Sequence, residues 1–142
     1  MKKKRLIVIV TSLLLLMTTV PVMADTSFDN ETPQIGIMSA YSKVERATLS
    51  ISTSGTAKVT GILTGYSGTT TKVSATIYLQ QYRGGNWVNI ASKSETANSY
   101  RLTTSMSKSV SKGYKYRTKA SFYAYKGSNK DHFVKYSSAV TY

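Results

Sequence analysis

The chain has 142 residues, with 19 Lys and Arg against six Asp and Glu, a single His and no Cys. Lack of cysteine removes disulfides, thiolate metal sites and cysteine nucleophiles, and one histidine with scattered acids cannot fill a zinc or calcium shell. A net charge of +13 favours anionic partners through long-range attraction without choosing among them.

The first 24 residues read as an address. Met1-Lys2-Lys3-Lys4-Arg5 is a cationic start, Leu6 to Met17 is apolar, and Val22-Met23-Ala24 supplies small residues at a cleavage position, so a secretory signal peptide is expected to be cut between Ala24 and Asp25. The stretch from Leu6 to Val22 includes Thr11, Ser12, Thr18, Thr19 and Pro21 and falls short of the ~20 apolar residues of a spanning helix. No later segment is apolar enough to span a bilayer, so the expected product is secreted, associated with the cell wall through charge if at all. Cleavage removes four basic residues and no acids, leaving 118 residues at a net +9, the size of one domain. The excess is uneven: residues 100–142 carry nine Lys and Arg against Asp131.

Residues 25–36 hold Asp25, Asp29, Glu31, Pro33 and Gly36 without apolar periodicity and are expected to form a flexible acidic leader, followed by a domain over 37–142. From Ala47 the dominant pattern has period two, which puts alternate side chains on opposite faces of a strand. Ala47, Leu49 and Ile51 alternate with Thr48, Ser50 and Ser52, and Thr53-Ser54-Gly55-Thr56 turns the chain. Ala57, Val59, Gly61 and Leu63 follow, then a Gly65–Thr69 loop. Val73, Ala75, Ile77 and Leu79 form an inward set ending at the hairpin Arg83-Gly84-Gly85-Asn86. Weaker strands are expected over 87–92 and 100–107. The next is clear, with Tyr114, Tyr116, Thr118, Ala120, Phe122 and Ala124 facing one way. A turn over 126–130 leads to a last strand around 133–138.

Seven short strands at roughly ten-residue spacing, separated by Gly/Ser turns, predict an all-β, antiparallel two-sheet sandwich, with a small β-barrel as the alternative. The run Tyr116-Arg117-Thr118-Lys119-Ala120-Ser121-Phe122-Tyr123-Ala124-Tyr125-Lys126-Gly127 resembles the penultimate strand of fibronectin type III and related immunoglobulin-like modules. The resemblance implies their seven-strand order over most of the mature chain. It departs from the type III pattern at Trp87, which follows the Gly84-Gly85 turn instead of lying on an early strand. Gly65 to Lys72, Leu79-Gln80, Gly84-Gly85-Asn86-Trp87 and Gly113-Tyr114-Lys115-Tyr116-Arg117 are similar to motifs shared by small secreted proteins of Gram-positive bacteria, a group of unknown function. That likeness implies a compartment and a fold but no chemistry.

Catalysis has few candidates. His132 and Asp131 are adjacent, so within a strand they point to opposite faces. Glu95 and Glu45 are expected to be solvated partners of Lys93 and Arg46. Gly65-Tyr66-Ser67-Gly68-Thr69 lacks the following helix of a nucleophile elbow. No enzyme activity, metal or cofactor is expected.

The surface offers more. If the strands from Val73 and Tyr116 are neighbours with the last strand beside them, Tyr78, Tyr82, Arg117, Lys119, Tyr123, Tyr125 and Lys135 are expected to share one solvent face. Same-face residues repeat about every 6.6 Å, a spacing suited to a polyanion, and tyrosine rings stack on sugar faces. Lys, Tyr and Thr are also ordinary occupants of a solvated sheet face. Trp87 is expected to pack over its hairpin, and Tyr116 to tie down a corner through its hydroxyl, as similar tyrosines do in immunoglobulin-like sandwiches. The leading expectation is a non-catalytic binding module for an anionic cell-wall polymer or acidic glycan, with no specific nucleic acid partner. The competing one is an adhesion protein working through strand pairing. Membrane activity ranks below both, since no long amphipathic stretch follows Asp25.

Overall fold

Alternation of apolar with Thr, Ser, Lys and Tyr side chains produces extended strands with one buried and one solvated face. The computed structural model describes residues 39–142. The expected signal peptide, its Ala24/Asp25 cleavage site and the leader over 25–36 lie outside the described residues.

The described residues form eight strands: β1 Ser42–Ile51, β2 Thr56–Gly65, β3 Lys72–Arg83, β4 Asn86–Ala97, β5 Arg101–Ser109, β6 Lys115–Lys126, β7 Asn129–Tyr136 and β8 Val140–Thr141. They form two antiparallel sheets, one ordered β1-β2-β5 and the other β4-β3-β6-β7, with β8 also pairing β6. Both sheets keep open edges, so the architecture is a sandwich and not a closed barrel. The antiparallel two-sheet sandwich expected from the sequence is present, with seven strands of eight or more residues. The two-residue β8, broken from β7 after Tyr136, is an addition that period-two reading does not resolve.

Between the sheets lie Ala57, Val59 and Leu63 of β2, Val73, Ala75, Ile77 and Leu79 of β3, and Tyr116, Ala120, Phe122 and Ala124 of β6, all fully or almost fully buried. Burying one such large apolar side chain is worth about 1.5–3 kcal/mol, which is how a chain without disulfides holds together. Gly61 belongs to this inward set because a Cβ there would meet Ile77 Cγ2 at 2.6 Å. Thr118 is buried too, and its hydroxyl donates to the Thr48 carbonyl across the sandwich at 2.9 Å. Gly84 and Gly85 have φ of 55° and 84°, the left-handed values of a tight two-residue hairpin between β3 and β4.

Tyr116 fixes the entry to β6. Its hydroxyl donates to the Ser111 carbonyl at 2.8 Å and accepts from the Ser111 amide at 3.1 Å and from Gln81 Nε2 at 3.0 Å. This is the structural tyrosine expected from the sequence.

β4 is longer than its weak periodicity suggests, and the reason is a bulge. Leu79 pairs with Ala91 while Gln80 pairs with Asn89, leaving Ile90 unopposed. Before the bulge Trp87 and Asn89 share the outward face of Tyr82 and Gln80; after it Ser92, Ser94 and Thr96 do.

Each open side of the sandwich carries an ion pair. On β4, Lys93 and Glu95 oppose the inward residues Ile77 and Ala75, lie 3.3 Å apart, and Lys93 Nζ donates to the Ser105 carbonyl of β5 at 3.1 Å. Thr104 Oγ1 is buried without a partner of normal hydrogen-bond geometry. Its hydroxyl is nevertheless the largest influence holding the exposed Glu95 carboxyl below the ordinary carboxylate range, ahead of Lys93. On the other side Lys135 of β7 lies 3.9 Å from Glu45 of β1. Glu45 is therefore not the partner of Arg46 that their adjacency in sequence suggests. Neighbours in a strand send their side chains to opposite faces, and Glu45 is bonded by Ser42 Oγ instead.

Candidate functional site

The outward face of the five-stranded sheet is built from aligned rows, because antiparallel register sets outward residues of neighbouring strands side by side. One row runs Trp87–Tyr82. The next are Asn89–Gln80–Arg117, Ser92–Tyr78–Lys119–Tyr136, Ser94–Thr76–Ser121–Val134, Thr96–Ser74–Tyr123–His132, and Lys72–Tyr125–Lys130.

Six of the seven residues expected on this face are on it. Lys135 is not. It pairs with Ala120, an inward residue of β6, and its charge goes to Glu45. Phe133 packs against the core two residues earlier, so period two carries Lys135 inward as well. Tyr136 takes the outward place expected of Lys135, opposite Lys119.

Arg117 is the centre of the upper rows. Its Cζ lies 4.3 Å from the Trp87 ring centroid and 4.3 Å from that of Tyr136, and its Nε donates to Gln80 Oε1 at 2.8 Å. Gln80 in turn donates from Nε2 to Asn89 Oδ1 at 2.8 Å. Two rings and an amide thus hold the guanidinium, and its terminal N–H groups have no hydrogen-bond partner among the described residues. Trp87 also packs on Tyr82 at 5.2 Å between centroids, as expected of a residue over the hairpin. Lys119 Nζ lies 5.8 Å from the Tyr78 ring. Tyr82 and Tyr136 are 41% and 47% exposed, which leaves apolar ring area open to a ligand.

A second cluster occupies the other end. Tyr123 stacks on His132 with centroids 4.4 Å apart and planes at 16°, and Tyr125 lies 6.3 Å from Tyr123. Lys72 Nζ sits 4.2 Å over Tyr125, and Lys130 Nζ 5.2 Å from Tyr123. Trp87, Tyr136 and His132 are members of the face that sequence reasoning misses.

His132 Nε2 lies 2.8 Å from Ser121 Oγ, a hydroxyl–imidazole pair. Asp131 points the other way, as period two requires, and accepts from Ser39 Oγ and the Tyr41 amide, each at 3.0 Å. The pair therefore has no acid behind it to orient the imidazole. The β6 amides around it are committed to the ladders with β3 and β7. Among the described residues no group of three or more His, Cys, Asp or Glu side chains gathers as metal ligands do. A shallow groove of about 230 Å³ between β1 and the segment after β7 is lined by Ala47, Thr48, Leu49, Ser137, Ser138 and Val140, none ionisable.

A scan against protein-family models finds no match, and a search of the curated proteins finds none. Among solved structures the chain is similar to the solution structure of R. palustris CsgH, with 12% identity over 64% of this chain and 90% of that one and a TM-score of 0.37. A likeness at that level carries no functional inference.

The electrostatics are one-sided. Residues 39–142 hold fifteen Lys and Arg against Glu45, Glu95 and Asp131. All three acids are already engaged away from the aromatic face, by Lys135, by Lys93 and by Ser39 with Tyr41. No carboxylate among the described residues competes with an incoming anion on that face. What the arrangement can do chemically is hold oxyanions and stack flat or ring-shaped groups.

Proposed function

We propose that the protein is a secreted, non-catalytic binding module that holds an anionic cell-envelope or extracellular polymer, such as a wall polymer or acidic glycan, on the outer face of its five-stranded sheet. The observation that carries this reading is the Arg117 guanidinium held between Trp87 and Tyr136, with Lys119 in the adjacent row and no acid among the described residues of the face. Cations positioned before binding lose less side-chain entropy when the ligand arrives, and aromatic neighbours add stacking area. The signal-peptide pattern and the likeness to small secreted proteins of Gram-positive bacteria point to an envelope setting.

The test is retention of the protein on purified cell walls, with and without their anionic polymers, over a salt series. Binding that needs the anionic polymer and falls with salt is expected. Equal retention on stripped walls, or retention indifferent to salt, would sink the proposal.

Adhesion through strand pairing has less support. Inward charges on β4, and on β1 and β7, are devices that keep open edges from adding strands.

A further inference from the structure

The cations of this face are not spread evenly. Lys115, Arg117 and Lys119 stand toward one end of β6, and Lys72 and Lys130 flank Tyr125 at the other. The two rows between them, through Thr76–Ser121–Val134 and Ser74–Tyr123–His132, hold no Lys, Arg, Asp or Glu. Six residues of β6 separate Lys119 from Tyr125, roughly 20 Å at the rise of a strand. That distance exceeds the Debye length of about 8 Å at physiological ionic strength, so a small anion at one end is screened from the other.

We propose, resting on the polymer-binding reading above, that the face is a two-point clamp for a linear phosphate polymer longer than about 20 Å. One phosphate segment lies at Arg117 and Lys119, a second at Lys72 and Lys130, and the uncharged stretch passes over the hydroxyls of Thr76 and Ser121. Phosphate fits better than a pendant carboxylate because these cations lie in a narrow line centred on β6, Arg117 and Lys119 on that strand and Lys72 of β3 and Lys130 of β7 directly beside its Tyr125. A narrow line matches charge carried in the polymer backbone itself. At Arg117 two aromatic rings lie against the guanidinium and Nε is hydrogen-bonded, so the terminal N–H groups remain as a fork for a single oxyanion.

A polymer that reaches both points gains from the second as an intramolecular event, by roughly 10²- to 10⁴-fold in general. The experiment is calorimetric titration of the protein with linear inorganic polyphosphate in a series of lengths below and above the span. It compares the parent with Lys72→Gln/Lys130→Gln and with Arg117→Gln/Lys119→Gln, each first checked for an unchanged melting profile. Expected is a step in affinity of about 100-fold once the chain exceeds the span. Either double variant should remove the step, its loss for long chains exceeding its loss for short ones, which the other point still binds. A smooth rise with length, or variants that weaken short and long chains alike, overturns the clamp and leaves wall binding standing. Wall retention with no polyphosphate binding at any length overturns the phosphate assignment alone. Loss of both defeats the underlying reading.

Discussion

Arg117 and Trp87 belong to strands that do not pair, β6 and β4, yet the guanidinium crosses the intervening β3 to lie 4.3 Å from the indole centroid. Trp87 is the only tryptophan in the chain, so its fluorescence reports this site alone. An anion taken up by Arg117 must change the field over the indole. Titration with an anionic wall polymer is therefore expected to alter Trp87 emission, and Arg117→Gln to abolish most of that change and lower the salt slope of binding by about one. Arg117→Lys restores charge without the planar fork and is expected to recover the salt slope but not the affinity. Emission unmoved by a polymer that demonstrably binds would place the contact elsewhere.

Tyr116 separates stability from binding. Removing its hydroxyl in Tyr116→Phe leaves the buried Gln81 Nε2 without its acceptor and breaks two part-buried bonds to the Ser111 backbone. The expected cost is about 1–3 kcal/mol, seen as a lower denaturant midpoint at unchanged slope. Polymer affinity should not change, because the side chain faces the core.

Gly61 tests the packing between sheets. A methyl at this position meets Ile77 Cγ2 at 2.6 Å and Phe122 at 3.3 Å, both fixed in the core. Gly61→Ala is expected to destabilise by about 1–3 kcal/mol despite its better strand conformational entropy. A Tm equal to or above the parent would show that Ile77 has room to turn.

The Lys93–Glu95 pair is expected to guard the β4 edge. Lys93→Val/Glu95→Val replaces charge by β-branched apolar surface along an open strand. Concentration-dependent dimers are expected in sedimentation for the variant and a monomer for the parent. A parent that itself dimerises would revive strand pairing as the working mode.

Glu95 also has a predictable pH signature. Its folded-state pKa is lowered by the Thr104 hydroxyl and then by Lys93, so the unfolded chain takes up the proton first as pH falls. Its contribution is complete above the ordinary carboxylate value and is lost as pH drops through the lowered one. The stability difference between the parent and Glu95→Gln is therefore expected to be small, the group being exposed, and to shrink in acid. A difference that grows on acidification contradicts the assigned contacts.

The faces of β2, β3 and β6 are legible in the sequence because their alternation is unbroken over eight or more residues, and one pairing rule then places Tyr78, Arg117 and Tyr123 together. Lys135 is the exception, although its signal is present: Phe133 shares its parity and packs against the core. Charge argues for solvent at that position and phase argues for the interior, and phase wins because Glu45 is there to meet the ammonium. Trp87 is a different case. The bulge opposite Leu79 and Gln80 reverses phase within β4, and a one-residue slip has no mark where apolar residues stand in succession, as at Ile90-Ala91. The cation–aromatic contacts depend on register among four strands, which spacing along one strand does not contain.

That extra residue, Ile90, sets how the surface can evolve. With it, Trp87 looks outward while Lys93 and Glu95 turn in. Drawing Ile90 into the ladder opposite Leu79 would slip the rest of the strand by one, setting Lys93 against Thr76 and Glu95 against Ser74, which sends a carboxylate onto the cationic face and strips the edge of its charges in one event. Point substitutions at exposed rows change ligand preference by degrees, whereas a one-residue slip here exchanges a polyanion receptor for an unprotected strand edge. Descendants of this sequence should therefore vary freely at the exposed positions of β4 while keeping the pairing of Ala91 with Leu79.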